Sequence, residues 1–328
     1  MGPKILVIGG AGYIGSHVVA QLLSEGYSVT VYDNFSSGKK ENIFPAAKLI
    51  RADILDAGVI DRVMAENKFD GIIHFAALKA AGVSMSDPQT YSVNNICGTI
   101  NILNAAVKNN VKRIIFSSTA AVYGEPAYLP IDEQHPTLPE NYYGFTKLEI
   151  ERILAWYDKL KGLKSVVLRY FNAAGYDKDG RVFGLETDPQ NLLPVVMEVA
   201  VGKRKEITVF GSDWDTRDGS CIRDYIHVSD LAAAHVRALE YLLKNNESVT
   251  LNLGSQNGVS VLEMIEAAQR ITGRPIAARL GGRREGDPSV VLASSKKAQE
   301  ILGWEAEHSD VDSLISTTWQ VYRKNFRM

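Results

Sequence analysis

Gly9-Gly10-Ala11-Gly12-Tyr13-Ile14-Gly15 follows directly on the apolar run Ile5-Leu6-Val7-Ile8 and leads into Ile14 to Ser24, where apolar residues recur at helical spacing. A buried strand, a glycine turn and a helix in that order open a dinucleotide-binding unit. Without a Cβ at Gly9, Gly12 and Gly15 the turn can tighten, the backbone can approach a pyrophosphate, and the helix can pack closely with its amides facing the phosphates. Glycines also serve ordinary strand-helix turns, so the surrounding pattern decides. The second apolar run ends in Tyr32-Asp33-Asn34, at the distance where an acidic side chain can accept both hydroxyls of an adenosine ribose. Asp33 would repel a 2′-phosphate, which predicts NAD rather than NADP. Lys39-Lys40 reads as a solvated charge pair.

The same alternation continues through the first half of the chain. Short β-branched runs at Val29 to Tyr32, Lys48 to Ala52, Gly71 to Phe75, Arg113 to Ser117 and Ser165 to Tyr170 are separated by amphipathic stretches at Ala57 to Glu66, Val93 to Asn109 and Tyr143 to Leu160. Runs that are apolar nearly throughout suit parallel strands covered on both faces. The prediction is an α/β fold, a Rossmann-type doubly wound parallel sheet with a smaller C-terminal α/β substrate-binding lobe. Residues 1–177 form the NAD-binding part in this reading and 178–328 the substrate lobe. A segment at 222–254, with a strand at Ile222 to His227, a helix at Ser229 to Leu243 and a strand at Val249 to Leu253, returns to the first part. Asp310 to Tyr322 reads as a closing amphipathic helix.

Composition narrows the function classes. The chain has 328 residues, 45% hydrophobic and 23% charged, with a formal charge of -2. It lacks the basic excess that nucleic-acid binding needs. Cys97 and Cys221 stand in no metal-ligand or disulfide pattern, which predicts no metal site and a reducing, cytoplasmic setting. The apolar run near the N-terminus is too short for a signal segment or a bilayer span, so no membrane association is expected.

Tyr143-Gly144-Phe145-Thr146-Lys147 puts a phenol and an ammonium one turn apart on one helix face. A free phenol has a pKa near ~10, and a neighbouring cation, together with a positively charged nicotinamide, would bring it toward use as a base. Upstream, Ser117-Ser118-Thr119-Ala120-Ala121-Val122-Tyr123-Gly124 begins as a predicted strand ends, where hydroxyls face the ligand crevice of an open α/β sheet. Glycine turn, hydroxyl cluster and Tyr-x-x-x-Lys, in that order, resemble the extended short-chain dehydrogenase/reductases.

Within that group the resemblance to UDP-galactose 4-epimerases covers essentially the whole chain. It is carried by Gly9-Gly-Ala-Gly-Tyr-Ile-Gly-Ser-His17, His74-Phe-Ala-Ala-Leu-Lys79, Tyr142-Tyr-Gly-Phe-Thr-Lys147, Leu168-Arg-Tyr-Phe-Asn172, Ile222-Arg-Asp-Tyr-Ile-His-Val228 and Arg283-Arg-Glu-Gly-Asp287. The resemblance implies Tyr143 as base, Lys147 as the residue that lowers its pKa and holds the nicotinamide ribose, and Thr119 in the place of the family's catalytic serine. It implies NAD contacts at Gly9, Gly12, Tyr13, Ile14, Gly15, Asp33, Asn34, Asp53, Ile54, Phe75, Ala76, Lys79, Asn94, Ser117, Ser118 and Tyr170, besides Tyr143 and Lys147. Nucleotide-sugar contacts would fall on Lys79, Thr119, Tyr143, Asn172, Asn191, Leu192, Phe210, Arg223, Arg284, Asp287 and Val291. Two arginines from distant segments would clamp a diphosphate while Asp287 accepts a ribose hydroxyl. The resemblance further implies a homodimer built on the helices near Val93 to Asn109 and Tyr143 to Leu160.

Two departures bear on specificity. Thr119 keeps a hydroxyl but adds a methyl that restricts χ1. Val291 stands where family members carry either a bulky tyrosine or a smaller residue beside the sugar's 2-substituent, which predicts tolerance of N-acetylated sugars. A 4,6-dehydratase would carry an Asp-Glu pair after the active-site threonine, where this chain has Ala120-Ala121. Epimerases of pentoses or uronic acids stay open, and a non-catalytic NAD-sensing regulator is opposed by the intact Tyr143, Lys147 and Thr119.

Overall fold

The computed structural model describes residues 2–284 and 286–328. Its strands in chain order are β1 (Lys4–Ile8), β2 (Ser28–Asp33), β3 (Lys48–Arg51), β4 (Gly71–His74), β5 (Arg113–Thr119), β6 (Lys164–Tyr170), β7 (Asn172–Ala174), β8 (Ile207–Phe210), β9 (Ile222–His227), β10 (Val249–Leu253), β11 (Gly258–Ser260), β12 (Ala278–Gly281) and β13 (Val290–Val291). Seven of them form one sheet in the order β10-β6-β5-β4-β1-β2-β3, with every neighbouring pair parallel. Strand order reverses between β1 and β4, so the crevice at their C-terminal ends is the topological switch point where such sheets take ligands.

Alternation along these strands divides the core into two layers. Ile5, Val7, Val29, Val31, Ile73, Ile115 and Leu168 pack with Val18 and Leu22 of the Tyr13–Ser24 helix and Leu231 and Leu239 of the Val228–Asn245 helix. Leu6, Ile8, Tyr32, Ile72, Ile114 and Phe116 face the other way, onto Ile60, Met64, Ile102, Leu103, Ile150 and Leu154 of the Ala57–Asn67, Gly98–Lys108 and Tyr142–Lys161 helices. Burial on both faces explains why these runs lack an apolar-polar alternation. Each buried aliphatic side chain contributes roughly 1.5–3 kcal/mol relative to exposure.

The remaining strands make smaller sheets. β9 pairs with β7 and β13 in parallel and with β11 antiparallel, while β8 pairs with β12. Helices Leu192–Ala200, Val261–Thr272 and Val311–Asn325 close a third core around Val196, Met197, Met264, Leu314 and Trp319.

Two sequence expectations are corrected here. Ile222–His227, read as leading back to the main sheet, is the centre of the small sheet, and the return begins with the Val228–Asn245 helix and β10. Asp224 explains the detour, because its buried carboxylate accepts amides from Ser255 at 2.7 Å, Gln256 at 3.1 Å and Ala293 at 3.1 Å, stapling β9 to segments of the lobe. The expected single helix from Val93 to Asn109 opens with wider π-type turns over Ser92–Cys97 before the α-helix Gly98–Lys108. There the Asn95 side chain accepts the Leu78 amide at 2.8 Å and donates to Thr146 Oγ1 at 3.1 Å, a side-chain insertion of the kind that marks functional positions.

Candidate active site

The turn after β1 is shaped by glycines for two separate reasons. Gly9 sits at φ +83°, and a Cβ there would stand 2.7 Å from the Ala76 amide nitrogen. A Cβ on Gly15 would stand 2.2 Å from the Gly9 carbonyl oxygen, so only glycine lets the helix start this close to the turn. Gly12 is the N-cap of the Tyr13–Ser24 helix and has no side chain to cap it. The first helical amides, through Ile14, therefore remain free to meet an anion. The Tyr13 side chain does not join them: its hydroxyl donates to the Gly175 carbonyl, and His17 accepts the Asp177 amide at 2.9 Å. These two bonds tie the turn to the segment entering the C-terminal lobe.

Asp33 ends β2 with its carboxylate accepting the amides of Ala11 at 2.9 Å and Phe35 at 2.8 Å. Burial pushes its pKa up while those two amides pull it back. Each oxygen retains a lone pair for a ribose hydroxyl. Asn34 donates to Asp53 at 2.8 Å, and the Tyr32 hydroxyl donates to the Asp53 carbonyl at 2.7 Å, placing buried Ile54 against Gly98. The Phe75 and Ala76 amides donate to the Ile8 carbonyl at 2.8 and 3.2 Å, and the Phe75 ring lies 4.9 Å from that of buried His235. Asn94 donates to Asn95 at 2.9 Å. Lys79 and Lys39 reach across to Glu186 and Thr187 of the lobe, so Lys39 is engaged rather than freely solvated.

The Tyr142–Lys161 helix is pinned at its start by Asn141, whose side chain accepts the Gly144 amide at 2.9 Å, and by buried Ser84, which accepts the Tyr143 amide at 3.0 Å. One turn on, buried Lys147 crosses to β5 and donates to the Ser117 carbonyl at 2.7 Å. Its ammonium stands 5.9 Å from the Tyr143 ring centre and 4.7 Å from that of Phe116. Burial pushes the Tyr143 phenol up to about 12, the Thr119 hydroxyl pulls it back, and the Tyr91 phenol adds to the rise. Burial likewise brings Lys147 down to about 7, opposed by Glu151. Loss of hydration therefore decides the direction of both groups.

Thr119 ends β5 beside this pair, its hydroxyl accepting the Ala121 amide at 3.1 Å. Ser117 shares a hydrogen bond with Tyr170 of β6. Ser118, expected beside the cofactor, is 1% exposed and donates to Glu151 at 2.5 Å. Alternation along β5 puts it on the face of Ile114 and Phe116, under the helix rather than in the crevice. Sequence reasoning passed over Glu151, although it lies four residues beyond Lys147 on the same helix face. It also passed over the role of Asn95, which nothing in the sequence sets apart from Asn94, Asn101 and Asn104 of the same stretch.

Four of the substrate candidates, Arg223, Arg284, Asp287 and Phe210, cluster together. Arg223 of β9 lies 3.4 Å from Asp287 Oδ1, and Arg284 lies 3.8 Å from Asp287 Oδ2 with its guanidinium 4.2 Å above the Phe210 ring centre. Val291 pairs with Arg223 in the small sheet and packs, with Ala120, on the cluster of Val122, Tyr123, Leu148 and Phe171. Asn172 pairs with Tyr225 on the opposite edge of β9. Asn191 caps the Leu192–Ala200 helix in extended conformation without a side-chain bond to its amides.

Fold and site together define a nicotinamide-dinucleotide enzyme of the short-chain dehydrogenase/reductase type. The chain belongs to the NAD dependent epimerase/dehydratase family, whose pattern matches residues 5–254. It is 46% identical over 316 residues to a UDP-glucose 4-epimerase of Lacticaseibacillus casei, covering 96% of this chain and 95% of that one. Among solved structures it resembles the UDP-glucose 4-epimerase of Brucella ovis in complex with NAD, at TM-score 0.95 and 40% identity over 98% of both chains. It also resembles the UDP-glucose 4-epimerase of Bifidobacterium longum in complex with NAD+ and UDP, at TM-score 0.92 and 39% identity over 98% of both. No helix among the described residues is long and apolar enough to cross a membrane, and no group of potential metal ligands occurs among them.

Proposed function

We infer that this chain is a UDP-glucose/UDP-galactose 4-epimerase that uses enzyme-bound NAD. The observation that carries the reading is that Val291, which pairs with Arg223 beside the Arg223-Arg284-Asp287 cluster, packs on the same apolar cluster as Ala120, the neighbour of Thr119 in the Tyr143-Lys147-Thr119 set. The glycine cradle, the helix amides left open after Gly12, and the Asp33 carboxylate suit the pyrophosphate and adenosine ribose of NAD. When bound, NAD supplies reversible hydride exchange with C4 of the sugar, so it acts as a catalyst and is not consumed. Its positive oxidised ring also brings to Tyr143 the charge that Lys147 alone does not supply.

In this account Tyr143 removes the proton of the sugar 4-hydroxyl and later returns it, with the Thr119 hydroxyl bonded to the same oxygen. Arg223 and Arg284 hold the diphosphate, the amides after Asn191 and Leu192 add to that grip, and Asp287 accepts a uridine ribose hydroxyl. Val291 and Ala120 offer the sugar apolar contact without directional bonds. Binding energy therefore sits on the UDP anchor, and the sugar is free to present either face. Residues 1–177 with the returning segment serve the cofactor and 178–328 serve the nucleotide sugar. The modest side chain at Val291 leaves room for a 2-acetamido group, so UDP-N-acetylhexosamines are accepted as well.

The assembly is a homodimer in this reading. Val93 and Cys97 are exposed on the Ser92–Cys97 turns, and Trp156 and Leu160, 57% and 65% exposed, on the neighbouring helix, apolar surface that a second copy would cover. Two unpaired cysteines fit the reducing cytoplasm. The test is turnover of UDP-galactose by purified protein beside Tyr143→Phe. Wild type should form UDP-glucose without net NADH, and the variant should lose about 10²- to 10⁴-fold in kcat. Full activity in Tyr143→Phe would refute the assignment of the base.

A further inference from the structure

The Tyr142–Lys161 helix bears a third polar residue on the face of Tyr143 and Lys147. Glu151 is 9% exposed, accepts the Ser118 hydroxyl at 2.5 Å, and is gripped by Arg169 of β6 through Nε at 3.0 Å and Nη2 at 2.5 Å. Arg169 also donates to the Tyr123 hydroxyl at 3.0 Å, and that hydroxyl donates to Asn252 Oδ1 at 2.6 Å. A buried ion pair of this kind adds little net stability, because desolvating both charges costs about what their attraction returns. Apolar side chains would hold the helix to the sheet as firmly, so the polarity calls for another reason.

We propose that Glu151 is a positioning residue for catalysis: through Ser118 it fixes the Lys147 turn of the helix to the end of β5 that carries Thr119, and it supplies the buried negative charge facing the Lys147 ammonium. What that ammonium is used for rests on the epimerase reading; where the charge lies does not.

Two observations support it. Ser117, Ser118 and Thr119 are consecutive on β5, and the helix holds the first two, Lys147 through the Ser117 carbonyl at 2.7 Å and Glu151 through the Ser118 hydroxyl. Sliding the helix along the strand would break both bonds and change the distance from Lys147 to Thr119. The second observation is the set of groups around Lys147. Its own helix offers Tyr143 and Glu151, β5 offers the Phe116 ring and the Ser117 carbonyl, and Arg169 of β6 stands behind Glu151, paired with it. From β4 comes His74, an imidazole that burial, and then the charge of Lys147, bring down to about 3, so that it is neutral. The Tyr91 phenol approaches from the Pro88–Tyr91 helix and acts on Tyr143. Glu151 is the one carboxylate in this set. It opposes the burial that brings Lys147 down to about 7, where the ammonium would be half lost at neutral pH.

Glu151→Gln keeps the shape and a hydrogen-bonding group and removes the charge. In NAD-loaded protein carrying lysine isotopically labelled at the ε-carbon, the Lys147 resonance is assigned by its loss in Lys147→Met and followed against pH. Lys147 should titrate about one pH unit lower in Glu151→Gln than in wild type. The alkaline limb of kcat should move down with it while KM changes by less than about twofold. A Lys147 titration and alkaline limb at the wild-type position would overturn the proposal. Should Glu151→Gln fail to fold because Arg169 is left unpaired, Ser118→Ala keeps both charges and cuts the bond that ties Glu151 to β5. It should lower kcat about tenfold while KM changes by less than about twofold, and a wild-type kcat in that folded variant would overturn the proposal. Wild-type turnover tests the epimerase reading separately, because the lysine titration is readable whether or not the protein epimerises sugars.

Discussion

Alanine at position 15 would place a methyl carbon 2.2 Å from the Gly9 carbonyl oxygen and 3.0 Å from Gly10 Cα. Carbon and oxygen come into contact near ~3.3 Å, so helix and turn must part by about 1 Å. The carbonyl cannot swing aside. Gly9 is held at φ +83° against Ala76, and its oxygen accepts the Gly12 amide at 3.2 Å. The helix start must therefore retreat, carrying the amides after Gly12 away from the pyrophosphate. Charge-assisted bonds contribute about 1.5–3 kcal/mol each. Losing about two of them costs ~3–6 kcal/mol, or about 10²- to 10⁴-fold in NAD affinity. Calorimetric titration of NAD into cofactor-stripped Gly15→Ala reads this directly, with circular dichroism to establish that the variant is folded. Gly82→Ala serves as the control, because a Cβ there meets nothing within 4 Å. A folded Gly15→Ala that binds NAD within about threefold of wild type would refute the cradle argument.

Val291→Tyr should crowd the site beside Ala120 at a cost of ~1–3 kcal/mol. That lowers kcat/KM for UDP-N-acetylgalactosamine about 5- to 150-fold more than for UDP-galactose, and equal losses for both would contradict the role given to Val291. Burial, against smaller effects of the Tyr13 carbonyl and Asp177, holds buried His17 down to about 4, below the ~6.5 of an unfolded histidine. The unfolded chain therefore binds the extra proton first, and stability present above pH ~6.5 is lost as the pH falls toward about 4, by at most about 3 kcal/mol. Melting temperature against pH should fall across that window in wild type and less steeply in His17→Asn; identical slopes would remove His17 as a cause. Trp156→Glu together with Leu160→Glu should convert a dimer to a species near 36.0 kDa by light scattering, and an unchanged mass would move the interface elsewhere.

The large sheet was legible because its strands are buried on both faces and the alternation of strand and helix is regular; the strands β1 to β6 lie within one or two residues of the sequence reading. The C-terminal lobe was not. β7, β11 and β13 are two or three residues long, too short for a periodicity, and they are held by partners such as Asp224 that lie far away in sequence. Motifs nominated the site residues, but side-chain direction escaped them. Tyr13 belongs to the glycine-turn phrase and Ser118 to the hydroxyl cluster that ends β5, yet Ser118 turns under the helix and Tyr13 reaches Gly175. Motif membership marks a segment, whereas the alternation of the strand and the partners across the crevice determine which side chains reach the ligand. Charge is subject to the same limit. Tyr-x-x-x-Lys suggests an activated phenol, but burial raises Tyr143 and lowers Lys147, and only the folded surroundings reveal that balance.

The central claim is that Tyr143 and its neighbours reverse C4 of a UDP-sugar by hydrogen removal and return within one site. Its most direct test is UDP-galactose carrying deuterium at C4, incubated in ordinary water with purified protein and no added NAD. The account predicts UDP-glucose that keeps the deuterium at C4. Replacement of that deuterium by hydrogen from water, or the absence of any UDP-glucose from NAD-loaded folded protein, would contradict it.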